Sequence, residues 1–149
     1  VPSGRKITIS KNRTPAIQIS NIGLGKQKAV YVMVVNKNIK YEYGGSPIAY
    51  IGTTKQGINR AAQSAANHAQ QILDIHGVNS FSVYLVTCKS RQGVKTWHKL
   101  ERAMLLSFRS EFGQVPLCNQ HGRRISEKDE FEYFTRSRIR DIILSFSHS

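Results

Sequence analysis

Glu101 lies in a segment where Trp97, Leu100, Met104, Leu105 and Phe108 recur at helical spacing, so it falls at the edge of the buried side of a helix. A carboxylate placed there is costly unless something positive partners it. Two partners would serve, a basic side chain or a divalent cation. Arg60 opens another helical segment, and both its guanidinium fork and the nearby helix N-terminus suit phosphate. It also reads as a solvated surface arginine, or as the salt-bridge mate of Glu101. Ser64, Asn67 and His68 share its helix face by the three- and four-residue rule. Tyr31 and Tyr50 fall in two neighbouring strand-like segments, and can converge on one sheet face or serve singly as core tyrosines. Phosphodiester cleavage requires a nucleophilic water, a group that takes its proton, a cation at the crowded oxygens and a metal ligand. These four residues are of the types that supply that set.

The elements that must position them follow from periodicity. Ala29 to Val35 is β-branched and aromatic throughout, the composition of a central strand. A polar stretch containing Gly44 and Gly45 precedes a second strand, Ile48 to Thr53, so the pair forms a hairpin with a long, decorated turn. Gly57 to His76 takes a helical period, with Gly77 as its stop. Ser80 to Thr87 alternates as a third strand, and Val94 to Phe112 is a second long helix closed by Gly113. Pro116 to Asn119 is a loop. Ser126, with Asp129 three residues on, resembles a capping box opening a last helix. Phe131, Phe134, Ile139, Ile142, Ile143 and Phe146 give that helix one apolar face. The fold class is α+β, a small three-stranded, mainly antiparallel sheet flanked by helices in the order β-β-α-β-α-α. Three regions are expected: a basic N-terminal arm or hairpin over 1–28, a core over 29–125, and a C-terminal helix within 126–149 packed on that core.

Composition bounds the function. A chain of 149 residues, 40% hydrophobic and 21% charged, suits one globular domain. No apolar run reaches the roughly 18 residues needed to span a bilayer, and Val1 to Lys28 is too polar and basic for a signal peptide. The expectation is an intracellular, cytoplasmic protein without a membrane partner. A first residue of Val rather than Met fits a fragment of a longer chain. Cys88 and Cys118 are too isolated for a zinc site or a disulfide framework. Charge carries the strongest signal: 22 Lys and Arg against 9 acids give +13. Before Glu127 the only acids are Glu42, Asp74, Glu101 and Glu111. Such a body projects a positive field that attracts polyanions, which names a class of partner and no activity.

The order of these residues resembles the GIY-YIG nuclease superfamily over roughly Ala29 to Asn119. Tyr31 stands within Ala29-Val30-Tyr31, and the second tripeptide is intact as Tyr50-Ile51-Gly52. Arg60 follows ten residues after Tyr50, the helical Glu101 comes later, and Asn119 closes a loop after Gly113 and Pro116. The chain departs from the pattern in three places. Ala29 replaces the first glycine, Lys37 to Pro47 looks like an insertion, and Ser64 stands where many members carry His or Tyr. His68, a further turn along, is the candidate substitute.

The resemblance implies a metal-dependent endonuclease acting on DNA, most like the restriction-type or stand-alone members. Glu101 would hold Mg²⁺, with Mn²⁺ as substitute, and Arg60 would neutralise charge on the phosphate. Tyr31 would be the general base, Tyr50 would orient the water or share that role, Lys55 would contact phosphate or relay a proton, and Asn119 would brace the site. Double-stranded DNA is the expected partner. Cutting both strands would favour a homodimer, with the last helix's apolar face either supplying the contact or packing as core. The alternative is a catalytically inactive nucleic-acid-binding module of the same fold. A structural RNA-binding protein of the ribosomal kind is a more distant third.

Overall fold

A computed structural model of the chain describes residues 6–10, 28–54 and 58–146. The elements run β1 (Ala29–Tyr41), β2 (Gly44–Thr54), α1 (Ile58–Leu73), β3 (Phe81–Val86), α2 (Thr96–Phe112), α3 (Glu130–Tyr133) and α4 (Arg136–Ser145). The strands form one antiparallel sheet ordered β2-β1-β3, flanked by helices, an α+β arrangement. In β1 every residue from Ala29 to Val35 is buried, as a central strand covered on both faces requires. Tyr31 points to the face carrying α1, where its hydroxyl meets Ser64. The other face, that of Val32 and its partner Tyr84, receives the end of α4, where the Phe146 ring lies 5.3 Å from that of Tyr84.

The segment Lys37 to Pro47, expected as an inserted turn, is instead mostly strand. β1 continues to Tyr41 and β2 begins at Gly44, leaving a turn of Glu42 and Tyr43 alone. The pairing slips between Val34 and Ile39, where the register steps from Val34↔Ile48 to Ile39↔Ser46. This bulge absorbs the surplus residues of β1 and bends the hairpin. Asn36, inside the bulge, is turned to another use: its side-chain oxygen accepts the backbone N–H groups of Asn79 and Ser80 at 3.0 and 3.3 Å. The residues read as loop filler therefore fix the entry to β3.

The hairpin tip docks on the end of α2. Tyr43 N–H donates to the Phe112 carbonyl at 3.1 Å, and Glu42 N–H to Gln114 Oε1 at 3.1 Å. The Tyr41 ring stands edge-on to Phe108 at 5.1 Å between centroids. Its hydroxyl donates to the Ile48 carbonyl at 2.6 Å and accepts the Leu117 N–H at 3.0 Å. Burial pushes this phenol's pKa well above its ordinary value. Gly113 ends α2 in the left-handed region, at φ +85, with its N–H on the Arg109 carbonyl at 2.8 Å. The turn residues Glu42 and Tyr43 press directly on it.

Elsewhere boundaries shift from expectation. α1 closes at Leu73, ahead of Gly77, as successive backbone bonds tighten the chain through Ile75 and Val78. α2 begins at Thr96, because Val94 pairs with Arg91 across a small turn. The last helix is two helices, broken where Phe134 is extended. Neither Ser126 nor Asp129 caps it. Asp129 binds Lys99 at 2.7 Å, while the fully buried Glu130 accepts Lys128 N–H and faces Arg102. Those ion pairs to α2 outcompete a capping box. Ile139 and Ile143 on α4 are buried in the chain's own core, and Phe131, Phe134, Ile142 and Phe146 pack against it partly buried. Residues 6–10 hold no regular structure, with Ile7 and Ile9 exposed, so the Ile7-Thr8-Ile9 stretch is not a strand. The Ala16 to Ile19 stretch and the rest of the 1–27 arm lie outside the described residues. Among those described, no helix is long and apolar enough to cross a membrane.

Gly113→Ala tests the docking of the hairpin. Its Cβ would sit 2.8 Å from Glu42 Cβ in a backbone region costing L-residues roughly 1–2 kcal/mol. A loss of at least about that size in urea-unfolding free energy is expected.

Candidate active site

Sheet register alone brings the two tyrosines together. Tyr31 pairs with Gly52 and Met33 with Tyr50, so both phenols project from the α1 face. Their rings stack 5.9 Å apart at 22°. Gly52 makes this possible. A Cβ there would lie 2.6 Å from the Tyr31 hydroxyl and 2.7 Å from the Tyr50 ring, so no larger residue leaves both rings in place. α1 then covers the pair. Tyr31 Oη and Ser64 Oγ are 2.8 Å apart, and the His68 ring packs on Tyr50 at 4.2 Å. His68 Nδ1 lies 2.9 Å from the Ser64 carbonyl, which can only accept, so the neutral ring carries its proton on Nδ1. His68 thus buttresses Tyr50, while Ser64 is the residue on the Tyr31 hydroxyl.

Glu101 enters from α2 and is 7% exposed. Its partner is His121, whose Nε2 lies 3.7 Å from Glu101 Oε2. The Arg60–Glu101 salt bridge considered from the sequence is not formed. Arg60 is exposed and donates to Gln63 Oε1 at 3.1 Å, one turn along its own helix. It still faces the site electrostatically, since its charge favours the Tyr50 phenolate. His121 closes the cluster edge-on to Tyr50, at 5.8 Å between ring centroids.

Asn119 is fully buried and holds the edge of the sheet. Its amide oxygen accepts the Ile51 N–H at 2.9 Å and its amide nitrogen donates to the Ile51 carbonyl at 2.8 Å. Cys118 N–H donates to the Ala49 carbonyl at 2.9 Å. β2 is an edge strand, and this loop occupies its open side as a surrogate neighbour. Asn119 therefore positions Tyr50 from the residue beside it. Its amide nitrogen also lies 3.3 Å from His121 Nε2.

Electrostatics divide the roles. Burial, then the adjacent Tyr31 hydroxyl, then Glu101 raise the Tyr50 pKa far above its ordinary value, with Arg60 opposing. Tyr50 is thus a protonated hydrogen-bond donor at neutral pH. The Glu101 carboxylate, 3.7 Å away, raises the His121 pKa against the opposing effect of burial. A group raised on folding stabilises below its unfolded value and loses that contribution as pH climbs through the folded one. The Glu101–His121 attraction is therefore complete below the ordinary imidazole pKa and fades as pH climbs through the raised one.

Among the described residues no group of three or more His, Cys, Asp and Glu side chains could enclose a metal ion. The donor set is one carboxylate, Glu101, close enough to the Tyr50 phenol to act on it electrostatically. That suits a hydrated Mg²⁺, which keeps several waters and takes one or two carboxylates, and does not suit zinc. Tyr31, Tyr50, Glu101 and Asn119 are brought together, Arg60 lies at the rim, and Lys55 lies outside the described residues. His121 was missed. It sits in a turn without periodicity, and its only signal is its place two residues after Asn119. Comparisons with family models, with curated proteins and with solved structures found no match.

Asn119→Ala would orphan the Ile51 N–H and carbonyl at once, and should lower unfolding free energy in urea by about 2–4 kcal/mol. In an NMR titration, the His121 ring should change charge above the ordinary imidazole pH, and Glu101→Gln should lower that midpoint. An unmoved midpoint would break the assigned contact.

Proposed function

We propose that this chain is a GIY-YIG-type, metal-dependent endonuclease that hydrolyses DNA phosphodiester bonds, restriction-type or stand-alone, working in the cytoplasm. The observation that carries the reading is the stacking of Tyr31 and Tyr50 over Gly52, with Glu101 of α2 close enough to act electrostatically on Tyr50. The basic body supports the partner class, because +13 of net charge draws a polyanion to a site with one carboxylate at its centre.

In this reading Glu101 would hold Mg²⁺ or Mn²⁺. When bound, the ion supplies positive charge to the phosphate and its leaving oxygen. The chain's own groups do the rest. Arg60, exposed at the rim, offers a planar fork to the phosphate oxygens. As the base, Tyr31 would act in its phenolate form, with the Ser64 hydroxyl 2.8 Å away donating to the phenolate oxygen that takes the proton of the attacking water. Tyr50, kept protonated, donates a hydrogen bond that orients that water or the phosphate. Asn119 and Gly52 act through the tyrosines they position. Ser64, rather than the candidate substitute His68, orients the base, and His121 holds Glu101 in place before the cation arrives.

One observation favours the second reading, an inactive nucleic-acid-binding module. His121 already satisfies Glu101 without any cation. Supercoiled plasmid separates the two. Cleavage that depends on Mg²⁺ or Mn²⁺ and stops in EDTA supports the nuclease, whereas binding without cleavage supports the module.

Glu101→Gln should abolish cleavage and retain DNA binding. Arg60→Ala should slow cleavage about 10²–10³-fold, the usual cost of losing one transition-state donor. Both variants must retain wild-type circular dichroism. Wild-type cleavage by Glu101→Gln would remove the metal-ligand assignment.

A further inference from the structure

Among the described residues, two clefts outside the cluster carry basic side chains, and they differ in how far carboxylates offset that charge. The cleft between α2 and α4, about 420 Å³, is lined by Arg109, Arg136 and Arg140. Carboxylates offset most of that charge, with Arg136 on Glu127 at 2.6 Å and Arg140 on Glu111 at 3.0 Å, while Arg109 donates to the Ile125 carbonyl. A polyanion gains little there.

The second cleft is a groove of about 870 Å³ lined by Lys28, Cys88, Lys89, Thr96 and Trp97, with Thr87 and Ser90 at its side. No carboxylate lines it, and the sequence holds none between Asp74 and Glu101. Lys28 Nζ lies 4.0 Å over the Trp97 ring centroid, a cation–π contact that holds the ammonium at the groove wall without neutralising it. Lys89 is exposed on the β3–α2 loop, which also carries Arg91 and Lys95. The groove adjoins the site. Trp97 is one helical turn before Glu101 on α2, Lys28 is three residues before Tyr31, and Thr87 follows the strand whose Leu85 pairs with Tyr31.

From this we infer that the groove is a second DNA contact, which takes the sugar–phosphate backbone of the segment flanking the scissile phosphate. Lys28 and Lys89 contact phosphates, and Trp97 sets the position of Lys28. Contacts to phosphate fix register without reading sequence, so the groove aligns the duplex and leaves base choice to other parts of the chain. The inference rests on the DNA reading of the site, but requires no cleavage.

Trp97 is the chain's one tryptophan, so its emission reports on this groove alone. A labelled DNA duplex is titrated into the protein in EDTA, with label anisotropy and tryptophan emission read together across a range of salt. Binding should change Trp97 emission in step with anisotropy. The Lys28→Ala/Lys89→Ala double variant removes two exposed side chains. It should bind at least tenfold more weakly, and its salt slope should fall by about 1.8, at about 0.9 per phosphate contact. Arg136→Ala/Arg140→Ala should leave both readouts near wild type. Anisotropy that rises while emission and slope stay fixed overturns the groove, as does an absence of binding. Emission change without any cleavage of plasmid by the wild type keeps the groove and removes the nuclease reading.

Discussion

A carboxylate that is nine-tenths removed from solvent needs a positive partner, and almost everything around Glu101 can be understood as providing or aiming one. The chain could have used any of its 22 Lys and Arg side chains, yet the partner in place is an imidazole. A histidine is a weaker and more easily displaced mate than a guanidinium, because its charge depends on pH and its contact here is long. The arginine closest in role, Arg60, stays at the rim. In the proposed reading, a divalent cation would displace this imidazole from Glu101, and Arg60 at the rim would take phosphate.

Holding that centre in register with the tyrosines is the task of the sheet edge. β2 would otherwise offer open N–H and carbonyl groups at Ala49 and Ile51, the residues on either side of Tyr50. The Cys118–Asn119 backbone and the Asn119 amide fill those places, and the same loop delivers His121 to Glu101. One short segment thus fixes a strand, a phenol and the partner of the carboxylate. At the other end of the hairpin, the Glu42–Tyr43 turn on the α2 C-terminus fixes the tilt of α2 against the same strand. α2 is thus anchored to the hairpin at its C-terminal end, and Glu101 lies about three helical turns before that anchor.

The order of elements was legible because the β-branched run at Ala29 to Val35 and the stripe from Trp97 to Phe108 have unambiguous periods. The far half of the hairpin was not. Asn36-Lys37-Asn38 carries the polarity of a loop, and only the alternate burial of Ile39 and Tyr41 marks a strand at a sheet edge. The break between α3 and α4 was equally hidden, since it follows from Asp129 and Glu130 answering Lys99 and Arg102 some thirty residues earlier. Tyr31, Tyr50, Glu101 and Asn119 were singled out by an order that resembles a family pattern, and the structure brings them near one another. The function of Gly52 as a cradle, and of Ser64 and His121 as partners, depends on contacts across more than thirty residues or within an aperiodic turn, which no local pattern encodes.

The central claim is that Glu101 and the two phenols form one cation-binding cleft. Anomalous diffraction from crystals soaked in Mn²⁺ tests it most directly. The account predicts a manganese peak in direct coordination with the Glu101 carboxylate, on the Tyr31–Tyr50 side, absent from Glu101→Gln crystals. Peaks found only elsewhere, or none at a Glu101 still paired with His121, would contradict it.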